Sequence, residues 1–431
     1  MTIHVVQPGE TIYTIAEQYN VSVTRLVEDN GLINPDNLVI GQTIVITYPE
    51  QVYIVREGDS LQSIANSYGV PIMQLLRNNP FLSGRDVIYE GELLVISYDT
   101  QNRVSINAFA YPFINRDILR KTLPYLTYLT IFNYRSLEDG EIVGNDETEV
   151  IQIARAYGVA PIMSLSTLTY QGTSDIGALN SILYNEDILT RHIENILTIL
   201  RTKEYYGLNF SVVNLNQENQ QAYDNFITRL SYRLKEEGYL LFITISPKIV
   251  ISTNEVTFEK LDYTTFGQVA DGILLLSYGW GYAVGPPSAS TPAYLTRAIL
   301  DYAITMIPRY KIETGISTIG YQWQRPYIIG VSRANSLNTD AAIELALQAG
   351  VPILFDEYSQ APYYEYTNYV SGEPVHYMVW FKDARSIDAL MSFIPEYGIQ
   401  GAAIWNIMSY FTQMWLVINS QYEIIKIFPE F

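Results

Sequence analysis

The apolar positions of this chain fall into two regimes. In the N-terminal part, short runs alternating apolar and polar residues are followed by two helical patterns and another short apolar run, and the whole unit then occurs again. His4-Val5-Val6-Gln7-Pro8-Gly9-Glu10-Thr11-Ile12 returns as Tyr53-Ile54-Val55-Arg56-Glu57-Gly58-Asp59-Ser60-Leu61, with Gly9 matched by Gly58. Each copy is expected to form a strand, a turn at the glycine, and a helix capped by Thr11 or Ser60, whose hydroxyl can accept an orphan backbone N–H. Second helices are expected around 23–30 and 73–78, and closing strands over 43–46 and 93–96, preceded by Gly41 and Gly91.

After a polar connector at 99–103, β-favouring apolar runs alternate with helical stretches, the pattern of repeated βα units. Strands are expected at 105–110, 128–133, 160–164, 207–213, 240–246, 272–278, 311–317 and 401–405, with helices such as 187–202, 217–237, 291–307 and 383–396 between them. Eight units predict an α/β fold of the (β/α)8 barrel type, whose reactive face gathers the C-terminal ends of the strands. Between the seventh and eighth strands, 352–357 and 376–382 are expected to be the arms of an extra strand pair. The domains read as one small module over 1–49, a second over 50–99, and a barrel over 104–431.

Composition mainly excludes. At 48% hydrophobic and 16% charged, the 431-residue chain reads as well packed and soluble, not disordered. A formal net charge of −19 with no basic run argues against nucleic acid or an anionic membrane as partner, because phosphate binding needs clustered Lys and Arg. The start, Met1-Thr2-Ile3-His4-Val5, lacks the basic residues and apolar core of an export signal, and no apolar run is long enough to span a bilayer, so synthesis in the cytoplasm is expected. Zero cysteines exclude disulfides and thiolate metal sites, and His4, His192 and His376 are too scattered for a zinc set; neither metal nor cofactor is expected. Tyrosine is in excess, 36 against 15 Phe and 5 Trp, which suits either amphipathic packing or a surface that contacts sugars or other proteins.

The βααβ repeat resembles the LysM domain over both copies in full. The resemblance implies binding of N-acetylglucosamine-containing glycans, chitin or peptidoglycan, in a groove between the first strand–helix loop and the second helix–strand loop. In the first copy this groove would be lined by Gly9, Glu10, Thr11 and Ile12, facing Ile33, Asn34 and Pro35. In the second it would be Gly58, Asp59, Ser60 and Leu61, facing Pro80, Phe81 and Leu82. Loop backbone groups suit acetamido groups, and Ile33 or Phe81 suits the methyl. The alternative is that one copy serves only as a spacer.

The remaining chain carries Leu123-Pro124-Tyr125-Leu126-Thr127-Tyr128, Asn133-Tyr134-Arg135, Gly285-Pro286-Pro287, Phe355-Asp356-Glu357 and Val379-Trp380-Phe381-Lys382-Asp383-Ala384-Arg385-Ser386. On these stretches it resembles glycoside hydrolase family 18, and within it the bacterial spore proteins that join tandem LysM domains to a barrel, the cortical-fragment-lytic N-acetylglucosaminidases. The family's fourth strand reads Asp-Gly-x-Asp-x-Asp-x-Glu. Its final Glu is the general acid, and the Asp before it orients the substrate acetamido group that attacks the anomeric carbon. Here the stretch is Tyr206-Gly207-Leu208-Asn209-Phe210-Ser211-Val212-Val213, in which only Gly207 keeps the pattern. Val213 replaces the acid, Ser211 the orienting Asp, and Asn209 a position that in the family is often an amide. In the sixth strand the family's Tyr-Asp is Tyr278-Gly279. An isopropyl group gives no proton, and general acid catalysis is worth ~10²–10⁴-fold. Glu218, Asp356 and Glu357 are the carboxylates that would have to substitute.

The resemblance also implies that Trp405 forms the floor of a sugar subsite and that Tyr278 contacts substrate, with Trp280, Trp323 and Tyr134 as further stacking surfaces. Loss of the carboxylates predicts a former site repacked as barrel core, with Val213 covered by neighbours such as Tyr278 and Trp405. The reading this favours is a spore-associated binder of peptidoglycan or other N-acetylglucosamine glycans, with an inactive barrel, located in the coat, the cortex or on the spore surface. Spore coat proteins and self-association are the further partners it suggests. An active β-N-acetylglucosaminidase on cortex fragments and a self-assembling spore-surface protein stay open as alternatives.

Overall fold

The computed structural model describes residues 1–85, 87–169, 171–251, 256–276 and 282–428. In the first module the strand Thr2–Val5 pairs antiparallel with Thr43–Ile46, around helices Ile12–Tyr19 and Val23–Asn30. The second module repeats this with Gln51–Ile54, Leu93–Ser97, Leu61–Tyr68 and Ile72–Asn78. The hydroxyl caps form as expected. Thr11 accepts from Thr14 N while Thr14 Oγ1 accepts from Thr11 N, and Ser60 and Ser63 do the same. A buried asparagine, unmarked by any apolar pattern, ties each second helix to its closing strand. Asn30 donates to Leu26 O and Val45 O and accepts from Val45 N, and Asn79 makes the same three bonds with Leu75 and Val95.

Modules of this size bury little on their own, and both dock on the barrel. In the first, Gln413 donates to Thr43 O at 2.6 Å and to Asn30 Oδ1 at 3.1 Å, Ile353 N donates to Ile40 O at 2.8 Å, and Val39 joins an apolar cluster with Ala342, Ala346 and Tyr364. In the second, Tyr125 Oη donates to Arg77 O at 2.7 Å and Asn419 Nδ2 to Asn78 Oδ1 at 2.8 Å.

The barrel strands are Asn102–Ala110, Tyr128–Ser136, Ala160–Ser166, Gly207–Val212, Leu240–Ile245, Gly272–Leu275, Ile312–Ser317 and Gly401–Trp405. All pair in parallel in chain order, and the eighth closes on the first with Gly401 opposite Ser105. Period-two alternation splits each strand between two apolar layers. Leu208, Phe210 and Val212 pack outward under the helices, whereas Phe109, Tyr128, Ile162, Phe242, Leu274 and Trp405 fill the lumen.

Two features depart from the expectation. The arms 352–357 and 376–382 do not pair with each other. Leu354–Asp356 pairs with Ala361–Val370, which lies between it and Glu373–Trp380, and Gly320–Arg325 and Asn335–Leu337 complete a five-stranded antiparallel sheet. The tyrosine-rich strand Ala361–Val370 was missed because its polar and aromatic residues mix without clean alternation, yet the turn at Ser371 and Gly372, both at positive φ, makes it the natural partner of Glu373–Trp380. After helix Thr412–Gln421, a strand at Tyr422–Ile424 also pairs in parallel with Asn102–Val104 at the N-terminal end of the barrel. There Lys426 Nζ donates to Pro124 O and Leu126 O, and Phe428 meets Tyr206 edge-on at 5.4 Å.

Gly41 shows how tightly the first module sits. Its φ is +86°, and a Cβ there would lie 1.9 Å from Ile353 O. Gly91 has the same φ with nothing within 4 Å of its Cβ position. Gly41→Ala is expected to destabilise the chain by more than the ~1–3 kcal/mol of backbone strain that Gly91→Ala should show. Chemical unfolding of both variants checks this, and equal losses would mean that the docking contact contributes nothing.

Candidate functional site

The fourth strand projects Asn209 and Ser211 into the lumen and is followed directly by Val213. Asn209 Oδ1 accepts from Thr244 Oγ1 at 2.8 Å, and Ser211 stands level with Ser166 and Thr244 on the neighbouring strands. Val213 is 9% exposed, and its carbonyl accepts from the Tyr223 hydroxyl on the following helix. Trp405, at the end of the eighth strand, meets Phe109, Tyr111 and Phe132 edge-on at 5.3, 6.0 and 5.2 Å. Tyr278, Gly279 and Trp280 lie outside the described residues.

The lumen here is mixed, with Val213 and Trp405 buried beside polar side chains. Asn209 Nδ2 and the hydroxyls of Ser164, Ser211 and Ser246 are buried without a side-chain or backbone partner among the described residues. The end of the fourth strand thus combines a hydroxyl and an amide, Ser211 and Asn209, with the apolar Val213. Deeper in the barrel a carboxyl remains that the sequence analysis passed over. Glu313, the second residue of the seventh strand, accepts from Ser105 Oγ at 2.8 Å and is fully buried. Burial pushes its pKa up to about 8, against the opposing hydrogen bonds of Ser105 and Asn107. Its signal in the sequence was a lone charged residue inside the β-run Ile312–Ser317.

Several residues expected at the cleft sit elsewhere. Tyr134 is buried in the layer between strands and helices, with its hydroxyl donating to Glu147 at 2.6 Å, because an irregularity between Phe132 and Tyr134 reverses the strand's alternation. Trp323 is fully buried, with its indole N–H donating to Gly285 O, and offers no stacking face. Tyr206 lies at the N-terminal end of the fourth strand, under Phe428, far from the reactive face. Of the substitute carboxylates, Asp356 accepts from Ser359 N and Glu357 from Gln360 in the turn that follows Leu354–Asp356, whereas Glu218 is exposed in the loop after the fourth strand.

In the modules, Gly9, Thr11, Gly58 and Ser60 are exposed, as are Ile33 at 67% and Phe81 at 36%. Ile12 and Leu82, at 1% exposure, belong to the module cores and can offer a ligand only their backbone; the half-buried Leu61 packs on the same core as Leu82. Glu10 is committed to its own turn. It accepts from Gln7 N at 2.7 Å and meets His4 Nε2 at 2.8 Å, and the backbone bond holds its pKa below the ordinary value. Asp59 repeats this with Arg56 N and Tyr53 Oη. Asn34 donates to Glu344 of the barrel, and Pro35 and Pro80 are half-buried. Among the described residues no His, Cys, Asp and Glu cluster could hold a metal, and no helix is long and apolar enough to cross a membrane.

Fold and site together define a (β/α)8 barrel with polar side chains in its lumen, carried behind two small docked modules. The LysM domain signature matches residues 4–47 and 53–97, and that of the glycosyl hydrolases family 18 matches 129–409. The chain belongs to glycosyl hydrolases family 18, with two LysM domains at its N-terminal side. It is 34% identical over 433 aligned positions to the cortical fragment-lytic enzyme of Bacillus subtilis, covering 99% of each chain. The crystal structure of the Bacillus cereus spore cortex-lytic enzyme SleL superposes with a TM-score of 0.79 at 31% identity, covering 99% of each chain. That of Bacillus megaterium SleL gives 0.80 at 28% identity, covering 98% of each.

Glu313 generates a pH test. Its ordinary value is 4.5 and its folded value about 8, so between these the folded chain keeps a proton that the unfolded chain releases. Its contribution to stability is therefore complete below about 4.5 and is lost as pH rises towards about 8. Glu313→Gln should remove that decline. Urea unfolding of both proteins across this range reads it out, and parallel stability curves would show that Glu313 ionises normally in the fold.

Proposed function

We propose that this protein binds N-acetylglucosamine-containing glycans of the spore cortex, or fragments of them, and that its barrel does not hydrolyse them. The observation that carries this is the neutral end of the fourth strand, where Asn209, Ser211 and Val213 supply neither a proton nor a charge to an acetamido nucleophile. Loss of the general acid alone is worth ~10²–10⁴-fold. The LysM domains, with Ile33 and Phe81 exposed beside open glycine turns, support peptidoglycan as the ligand. The names of the relatives support a place in the spore coat, in the cortex or on the spore surface. Exposed tyrosines such as Tyr358 and Tyr369, both 71%, suit contacts with spore coat proteins or self-association. The net charge of −19 disfavours nucleic acid and anionic membranes.

Retained hydrolysis is a second reading, favoured by one fact: relatives named as cortical fragment-lytic enzymes align along 98–99% of the chain. It requires a displaced carboxylate, for which Glu218 is the free candidate. Purified protein is expected to release no reducing sugar from cortex fragments above a buffer blank; turnover at ordinary enzyme rates that Glu218→Gln abolishes would establish the second reading instead. Val213→Glu alone should lower stability by ~1–3 kcal/mol, the cost of burying a polar group without a partner, and leave activity absent. A melt unchanged from the native protein would mean that this position is hydrated. For binding, Ile33→Asp with Phe81→Asp should cut co-sedimentation with insoluble peptidoglycan about tenfold, ~1.4 kcal/mol, and undiminished sedimentation would remove the LysM grooves from the reading.

A further inference from the structure

Docking of the first module creates a pocket that neither domain has alone. It lies between the loop from Gly31 to Asn37, the helix Thr339–Ala349 of the insertion, and the start of the helix Thr412–Gln421. Gly31 is part of its lining. This residue ends the second module helix in a left-handed turn and is packed so closely on Thr412 that a Cβ would lie 2.6 Å from Thr412 Oγ1. The cavity measures about 40 Å³ and opens to solvent on one side. Since one water needs at least ~10–15 Å³ on this measure, the cavity takes a substituent of a few heavy atoms and not a whole sugar ring.

Its lining is specific in chemistry. Ile343, Leu347 and Phe411 supply an apolar wall. Asp340 supplies an acceptor, while Glu344 is already engaged by Asn34. Donors come from the Asn37 amide and from the start of the helix Thr412–Gln421, where Phe411, the residue before the helix, provides no side-chain cap for the first-turn N–H groups. An acetamido group needs these three things at once: a donor for its carbonyl, an acceptor for its N–H, and an apolar surface for its methyl. The pocket also shares a wall with the expected LysM groove, because Ile33 and Asn34 belong to both.

We propose that this interdomain pocket receives the N-acetyl group of a further sugar on the strand that the first LysM groove holds, so that the barrel extends the LysM binding site. The proposal rests on the glycan-binding reading above. A glycan long enough to cross Ile33 then gains a second point of attachment, and a shorter one does not.

The test uses the full chain and N-acetylglucosamine oligomers, a dimer and a hexamer, titrated calorimetrically. The native protein is expected to bind the hexamer at least ~10-fold more tightly than the dimer, a difference of ~1.4 kcal/mol. Asp340→Ala, which removes the acceptor, and Asn37→Trp, which fills the cavity from an exposed position, should each bring the hexamer close to the dimer while leaving the dimer unchanged. Ile33→Asp, in the shared wall, should weaken both ligands. Hexamer binding that survives both pocket variants overturns the proposal and leaves the LysM reading standing, as does a native protein with no preference for length. Failure of the native protein to bind either oligomer overturns both.

Discussion

Closure of the parallel ladder between the eighth and first strands is the constraint on which the rest of the structure depends. Gly401 faces Ser105 so closely that a Cβ would lie 1.9 Å from the serine carbonyl, and only glycine lets the two backbones meet there. With the ring closed, strand alternation leaves no freedom about which side chains share the lumen. Asn209 and Ser211 are held beside Ser166 and Thr244, and Leu208, Phe210 and Val212 turn out to the helices. The C-terminal strand Tyr422–Ile424 and Phe428 then cover the opposite end, where Tyr206 has become a packing residue.

The lumen so formed separates two kinds of polarity. Near the N-terminal end, Glu313 keeps a carboxyl in surroundings that favour its neutral form, bonded by Ser105. Towards the C-terminal ends of the strands the hydroxyls and amides of Ser164, Asn209 and Ser211 stand beside apolar Val213 and Trp405. Neutral groups avoid both the desolvation of a buried carboxylate and the repulsion between neighbouring ones. They preserve hydrogen-bonding capacity without a buried charge.

Docking of the first module combines amide and backbone contacts with apolar ones, in which Val45 joins the barrel core and Val39 the insertion. Gln413 reaches both Thr43 and Asn30, and Asn30 is the same side chain that ties the module's second helix to its closing strand. Internal cohesion and attachment to the barrel therefore share an atom, Asn30 Oδ1, so loosening one loosens the other. This sharing also explains why the first module's loop lies against the insertion helix, where Asn34 meets Glu344 and the interdomain pocket opens.

Local pattern was enough for the repeat, the hydroxyl caps, the barrel strands and the neutral fourth-strand motif, because each depends on side-chain period or on residue identity within a few positions. Tertiary structure decided matters that sequence spacing does not encode. Tyr134 leaves the lumen through a strand irregularity, Trp323 is sealed by contact with Gly285, and Ala361–Val370 enters the insertion sheet between two strands expected to be partners. Glu313 looked like an incidental acid until closure buried it against Ser105, and Gln413 and Asn30 looked unremarkable until they met across 383 residues. The sequence by itself determined which chemical groups the protein owns, including the lack of any Asp or Glu between Gly207 and Val213. Only the fold decided which of those groups are buried, paired or open to a ligand, because burial and long-range pairing are properties of the closed barrel and its docked modules, not of neighbouring residues.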